Sequence, residues 1–216
     1  MKLHKFSKLA GFLSVAIIGS SLLTLGCSKD LELEQCKVNY SKYNYSEAFK
    51  FCSVAAEQGD ASSQFNLGYM YQYGKGVKQD YFKAVELYQK AAEQGDASAQ
   101  CNLGYMYDNG QGVKQDYFKA VEWYQKAADQ GYANAQSNLG NMYYAGQGVK
   151  QDYFKAVEWY QKAADQGNTL AQYNLGIMYY DGEGVRQNYT KAKEYFGLAC
   201  DNKDQDGCDM YKKLNQ

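Results

Sequence analysis

Between Asp60 and Lys203 the chain alternates two apolar patterns with a fixed break between them. In residues 96–131, Ala97, Gln100, Leu103, Gly104 and Tyr107 recur at three- and four-residue spacing, the period of one helical face. Gly110-Gln111-Gly112-Val113 interrupts that face, because glycine adopts the positive φ angles of a tight connection. Asp116 then stands where a helix N-cap belongs, able to accept an orphan backbone N–H. Ala120, Tyr124, Ala127 and Ala128 mark the packing side of a second helix, which Gly131 ends. The pattern predicts helix, loop, helix, with alanines and Gly104 allowing close approach while leucine and tyrosine fill the remaining space.

Shifted by 36 residues, the sequence matches itself over units 60–95, 96–131, 132–167 and 168–203. Residues 110–131 and 146–167 are identical. A degenerate unit, 27–59, precedes the four, and a half unit, 204–216, follows. Deviation at both ends is what a stacked array requires, since each end has a face without a neighbour. The expected fold is therefore all-α: an α/α superhelical solenoid of 36-residue helix-loop-helix repeats.

These residues resemble the Sel-one-like repeat family, relatives of the tetratricopeptide repeats. The shared motif is carried by Ala97, Leu103, Gly104, Met106, Tyr107, Gly110, Gly112 and Val113, and it recurs from Ala61 to Val77 and from Ala133 to Val149. The resemblance implies a right-handed superhelix with a concave groove that holds a protein or peptide, and no cofactor. A monomer is expected, or a weak homo-oligomer formed through exposed repeat edges.

Composition narrows the partner. The chain has no proline, so no helix interior is forced to kink, and it has 23 tyrosines. Setting aside Lys2, Lys5 and Lys8 of the leader, 20 basic and 24 acidic residues remain, a net −4. Nucleic acid is excluded as partner, because phosphate binding needs a concentrated basic surface. Glu122 and Asp129 beside Lys119 and Lys126 read as solvated ion-pair ladders.

Residues 1–26 read as a secretory leader. Met1–Lys8 is short and basic, and Leu9–Leu25 is apolar yet broken by glycine and serine, short of the about 20 residues of a membrane span. Leu23-Thr24-Leu25-Gly26-Cys27 resembles a bacterial lipobox, which implies a lipid anchor at Cys27 on a membrane of the cell envelope, with the outer membrane favoured by Ser28. Cleavage nearby without lipidation would give a secreted protein.

Cys200 and Cys208 flank a helix-to-helix turn and correspond to Ala92 and Gln100, which face each other across a repeat junction. Paired cysteines here resemble those of the cysteine-rich Hcp-like members of the family, and in an oxidising compartment they would bridge. Cys36 and Cys52 fall on the two helices of the irregular first unit, where a second bridge is expected. Cys101 stands where other repeats have Phe65, Ser137 and Tyr173; it reads either as a reactive thiol or as a tolerated substitution. Metal binding is excluded: the only histidine is His4 in the leader, and no C-x₂-C occurs.

No catalytic constellation is visible. Without histidine beyond residue 26, Ser-His-Asp and Cys-His mechanisms have no base. The Gly-x-Gly-Val loops lack the lysine-serine sequel of a phosphate-binding loop and read as turns. Hcp-like relatives carry a β-lactamase label, so a penicillin-binding protein or weak β-lactamase is the alternative reading. No serine has a lysine three places on, as that chemistry requires, and Ser46 meets Lys50 at the wrong spacing.

Near-identical repeats separate fixed from variable positions. Variation on the first helices concentrates at i, i+4, i+7: Phe65, Tyr69, Gln72; Cys101, Tyr105, Asp108; Ser137, Asn141, Tyr144; and Tyr173, Ile177, Tyr180. This stripe of aromatic and small polar residues suits a protein contact, or else records drift. Beside it runs Asn66, repeated as Asn102, Asn138 and Asn174. Those amides would either grip a peptide backbone or satisfy buried backbone groups between repeats.

Overall fold

The structure, a computed structural model, describes residues 30–216. The leader 1–26 and Cys27 lie outside the described residues. Eleven helices follow one another with no strand among the described residues. They are α1 (30–41), α2 (Tyr45–Glu57), α3 (Ala61–Tyr73), α4 (Tyr81–Glu93), α5 (Ala97–Asn109) and α6 (Tyr117–Asp129). The remainder are α7 (Ala133–Ala145), α8 (Tyr153–Ala164), α9 (Thr169–Asp181), α10 (Tyr189–Asp201) and α11 (Gln205–Lys213). From α2 onward each helix packs extensively only on its immediate neighbours in sequence, the contact scheme of a solenoid.

The core is a series of equivalent clusters. Ala84, Tyr88, Ala91 and Ala92 of α4 pack with Ala99, Leu103 and Met106 of α5, and the set returns one repeat later around Tyr124 and again around Tyr160. Helix pairs come close because the first helix offers a glycine: a Cβ on Gly104 would lie 2.7 Å from the Tyr124 ring. Aspartate caps the second helix, with Lys119 N–H donating to Asp116 Oδ1 at 3.1 Å. Tyr132, where other repeats place Asp60, Asp96 and Asn168, leaves α7 without a side-chain cap.

The two glycines of each loop do different work. Gly110 ends α5 in the left-handed region at φ 66°. Gly112 meets the previous repeat, where its Cβ would lie 2.4 Å from the carbonyl oxygen of Tyr81 at the start of α4. The loop is a joint between repeats.

One buried glutamine ties three helices together. Gln100 donates to the Ala92 carbonyl of α4 at 3.1 Å and accepts from Gln130, at the end of α6, at 2.8 Å. Gln64, Gln136 and Gln172 do the same in their repeats, the last accepting from Asn202. The terminal disulfides occupy the places of such polar contacts. Cys200–Cys208 stands at the Ala92–Gln100 position with the same separation of 8. Cys36–Cys52 stands at the Gln72–Tyr88 position with the same separation of 16, where the Tyr88 hydroxyl donates to Gln72 Oε1 at 2.7 Å. What is a hydrogen bond inside the array is covalent at its ends.

The expected ion-pair ladder forms in one repeat, where Lys90 and Glu86 hold the positions of Lys126 and Glu122, and is replaced in the next two. The ion pairs among the described residues are Lys50–Glu47, Lys90–Glu86 and Lys212–Asp209. Lys119 instead lies 5.1 Å above the Tyr107 ring and Lys126 3.9 Å above Trp123, contacts that recur at Lys155 and Lys162. Trp123 is one turn from Lys126 on the same helix, whereas Tyr107 reaches Lys119 from the preceding helix, and each ring face attracts the ammonium.

Candidate partner-binding groove

Four successive first helices line one recess of about 260 Å³. Tyr73 comes from α3, Asn102 and Tyr105 from α5, Asn134 and Asn138 from α7, and Leu170 from α9. One helix type from four repeats thus converges on one recess. A second recess of about 270 Å³ continues along them, lined by Asn141, Tyr144, Tyr160, Asn174, Ile177 and Met178.

The expected stripe divides into wall and floor. Tyr105 and Tyr144 are 40% and 36% exposed and form the wall. Tyr69 stands against Tyr73, with ring centroids 4.5 Å apart, and Tyr180 against Tyr189 at 5.4 Å. Phe65 and Tyr173 turn toward the core, where they meet the rings of Tyr88 and Phe196. Asp108 accepts weakly from the Tyr124 hydroxyl at 3.4 Å, and burial holds its carboxyl above the usual range. Gln72, Cys101 and Ser137 are buried, the last two beneath the first recess. Positions at i, i+4 and i+7 drift around a helix, so one stripe takes in both the groove and the flank facing the second helix.

The asparagine row makes contacts between repeats. Asn66 is buried, its amide reaching the Cys36 sulfur at 4.0 Å. Asn138 donates to Cys101 Sγ at 3.7 Å, and Asn174 donates to Asn141 Oδ1 at 3.1 Å, where the Tyr160 hydroxyl also donates at 2.6 Å. These amides bond side chains of the preceding repeat, not its backbone. Each amide has two N–H groups and a carbonyl oxygen, so the half-buried Asn102, Asn138 and Asn174 keep capacity toward the groove.

Cys101 is buried and free, and burial pushes its thiol up to about 12, against the opposing effect of the Asn138 hydrogen bond. At neutral pH it is a protonated part of the floor, with little thiolate to react.

Tyr73, Asn134 and Leu170 escaped the sequence reading. Their positions vary between repeats as the stripe does: Ser62, Ser98, Asn134, Leu170 at one, and Tyr73, Asn109, Ala145, Asp181 at the other. The same signal would have found them had it been followed around the helix.

The Sel1 repeat matches the chain over residues 39–60, 61–96, 97–132, 133–168 and 169–204. Among solved structures the chain is similar to a protective antigen of uropathogenic Escherichia coli displaying an SLR fold, with 36% identity and a TM-score of 0.76. That match covers 83% of this chain and 39% of the other, so the chain spans well under half of that relative's length. It is also similar to a Sel1 repeat protein from Oxalobacter formigenes (34% identity, TM-score 0.78, covering 83% of this chain and 74% of that one). Cysteine rich protein B of Helicobacter pylori is 30% identical, with a TM-score of 0.50 and coverage of 62% and 96%. No curated protein matches the chain.

Proposed function

The chain belongs to the Sel1 repeat family, and on that premise we propose that it is a non-catalytic scaffold of the bacterial cell envelope, holding an extended segment of a partner protein along its first helices. The observation that carries this reading is the recess shared by four repeats, with amides and tyrosine rings on its walls. Amides pair with the backbone of an extended segment whatever its side chains, and tyrosines supply contact area at low conformational cost. Two disulfides suit an oxidising compartment, and the basic, apolar leader ending at Cys27 suits export with a lipid anchor.

The test is photo-crosslinking in envelope preparations from a probe placed at position 134, in the wild type and in the Tyr105→Ala, Tyr144→Ala double variant. A discrete adduct that disappears in the double variant, with the urea unfolding curve nearly unchanged, supports the reading. An adduct indifferent to both tyrosines sinks it. Cys27→Ser releases the protein from the membrane fraction on this account. Purified protein leaves nitrocefin intact; hydrolysis surviving chelation would favour the β-lactamase alternative.

A further inference from the structure

Charge is unevenly spread over the molecule. Segments 78–83, 114–119 and 150–155 are the identical Lys-Gln-Asp-Tyr-Phe-Lys, and 186–191 reads Arg-Gln-Asn-Tyr-Thr-Lys. Together they hold eight basic and three acidic residues, while the rest of the chain beyond residue 26 holds twelve and twenty-one. A net +5 is thus gathered on four short segments of a molecule whose remainder is −9. Stacking brings these segments to one edge, since Gly112, Gly148 and Gly184 seat each loop against Tyr81, Tyr117 and Tyr153 at the helix start of the repeat before.

The acids of this edge are engaged and its cations are not. Asp80, Asp116 and Asp152 cap their helices, each accepting a backbone N–H at 3.1 Å, where the helix dipole offsets their charge. Lys78, Lys114, Lys150 and Arg186 are exposed and outside every ion pair among the described residues. A recess of about 380 Å³ opens between them, with Lys114, Lys119, Tyr107 and Val113 among its walls. Beside the cations runs a row of rings, Phe82, Phe118 and Phe154, which are 77%, 73% and 71% exposed. Surface apolar residues scattered singly are ordinary, but one phenylalanine per repeat along one edge forms a patch. Glu86, Glu122 and Glu158 follow one turn further along the same helices, which confines the basic aromatic surface to the helix starts.

We propose that this edge lies against an anionic lipid bilayer, with Phe82, Phe118 and Phe154 entering the interface and the lysines and Arg186 among the headgroup phosphates. Apolar rings among unpaired cations complement a surface that is negative at its rim and apolar beneath. A twofold contact between copies of the chain through this edge would instead set +5 against +5. The contact leaves the groove free, because neither the phenylalanines nor the loop cations line its recesses, and it stands independently of the groove reading. Without acyl chains it is reversible and screened by salt, so it orients the array on the membrane and does not anchor it.

The test uses the oxidised, leader-free chain from residue 28, since all four core clusters and both disulfides lie beyond that point. It is sedimented with vesicles of phosphatidylcholine alone or with about a third phosphatidylglycerol. Binding should require the anionic lipid and fall about tenfold between about 0.05 and about 0.5 M salt. Phe82→Ser, Phe118→Ser and Phe154→Ser together should lower it by about tenfold or more at low salt, as should Lys114→Glu with Lys150→Glu. Urea midpoints should stay unchanged in both variants, because these side chains are exposed. The Tyr105→Ala, Tyr144→Ala variant should bind vesicles like the wild type, which separates failure of this contact from failure of the groove reading. No binding to anionic vesicles, or binding indifferent to the three serines, overturns the proposal. So does a wild-type dimer, seen by analytical ultracentrifugation without lipid, that the three serines dissociate, for the row then belongs to a second copy.

Discussion

Substituting the second glycine of a loop should cost far more than substituting the glycine that ends a repeat. Gly148 has φ 67°, and a Cβ there would lie 2.3 Å from the Tyr117 carbonyl oxygen, in the repeat before. Gly131 has φ 86° and open space around it, with nothing within 4 Å of an added Cβ. Alanine at either site incurs the left-handed penalty of about 1–2 kcal/mol. Only Gly148→Ala must also push two repeats apart against backbone, and overpacking of that kind adds about 1–3 kcal/mol. The expected losses are thus about 2–5 kcal/mol for Gly148→Ala and about 1–2 kcal/mol for Gly131→Ala. Urea unfolding followed by circular dichroism, with the disulfides oxidised, measures both. Gly148→Ala should also broaden the transition, because a solenoid with one weakened junction loses cooperativity there. Equal losses with equal slopes would refute the assignment of the second glycine to the inter-repeat joint.

Three further outcomes follow from the same geometry. Ala128→Cys with Gln136→Cys should close a bridge on oxidation, because this pair occupies the Cys200–Cys208 position of an inner repeat, with Gln136 already 3.2 Å from the Ala128 carbonyl. Thiol titration reads the closure, and chain entropy sets a ceiling of about 2.5 kcal/mol on its stabilisation. Tyr132→Asp should raise stability by about 1 kcal/mol by supplying the missing cap of α7, and an unchanged urea midpoint would show the cap is filled otherwise. Alkali should destabilise the fold: burial raises Tyr88, Tyr124 and Tyr160 above 10.0 and takes Cys101 from 9.0 to about 12. The native state holds these protons more tightly, so their contribution is complete below the unfolded values and is lost as pH rises from about 9 through the folded ones. A urea midpoint flat from pH 8 to 11 would contradict the burial of these groups.

The periodicity made the fold readable because every repeat states it again. Gly104, Asp116 and Gly131 each act locally, through close approach, capping and termination, and local effects leave local marks in sequence. The groove was readable only in outline. Whether Cys101 or Ser137 faces the recess or the neighbouring helix depends on rotations smaller than one residue's step, and a stripe template does not resolve those. Lysine partners were misread for a different reason: Lys126 has Glu122 and Trp123 within one turn of it, and spacing alone does not choose between a carboxylate and an indole.

The loop joint gives the array a direction in time. Gly76, Gly112, Gly148 and Gly184 each seat against the start of the second helix in the repeat synthesised just before, at Tyr45, Tyr81, Tyr117 and Tyr153. A growing chain therefore always carries a finished berth for the next repeat, and Cys52 meets Cys36 before any full repeat has been made. Assembly can run vectorially from the amino end, each new first helix completing the core of the second helix before it, with the Cys200–Cys208 bond as its final latch.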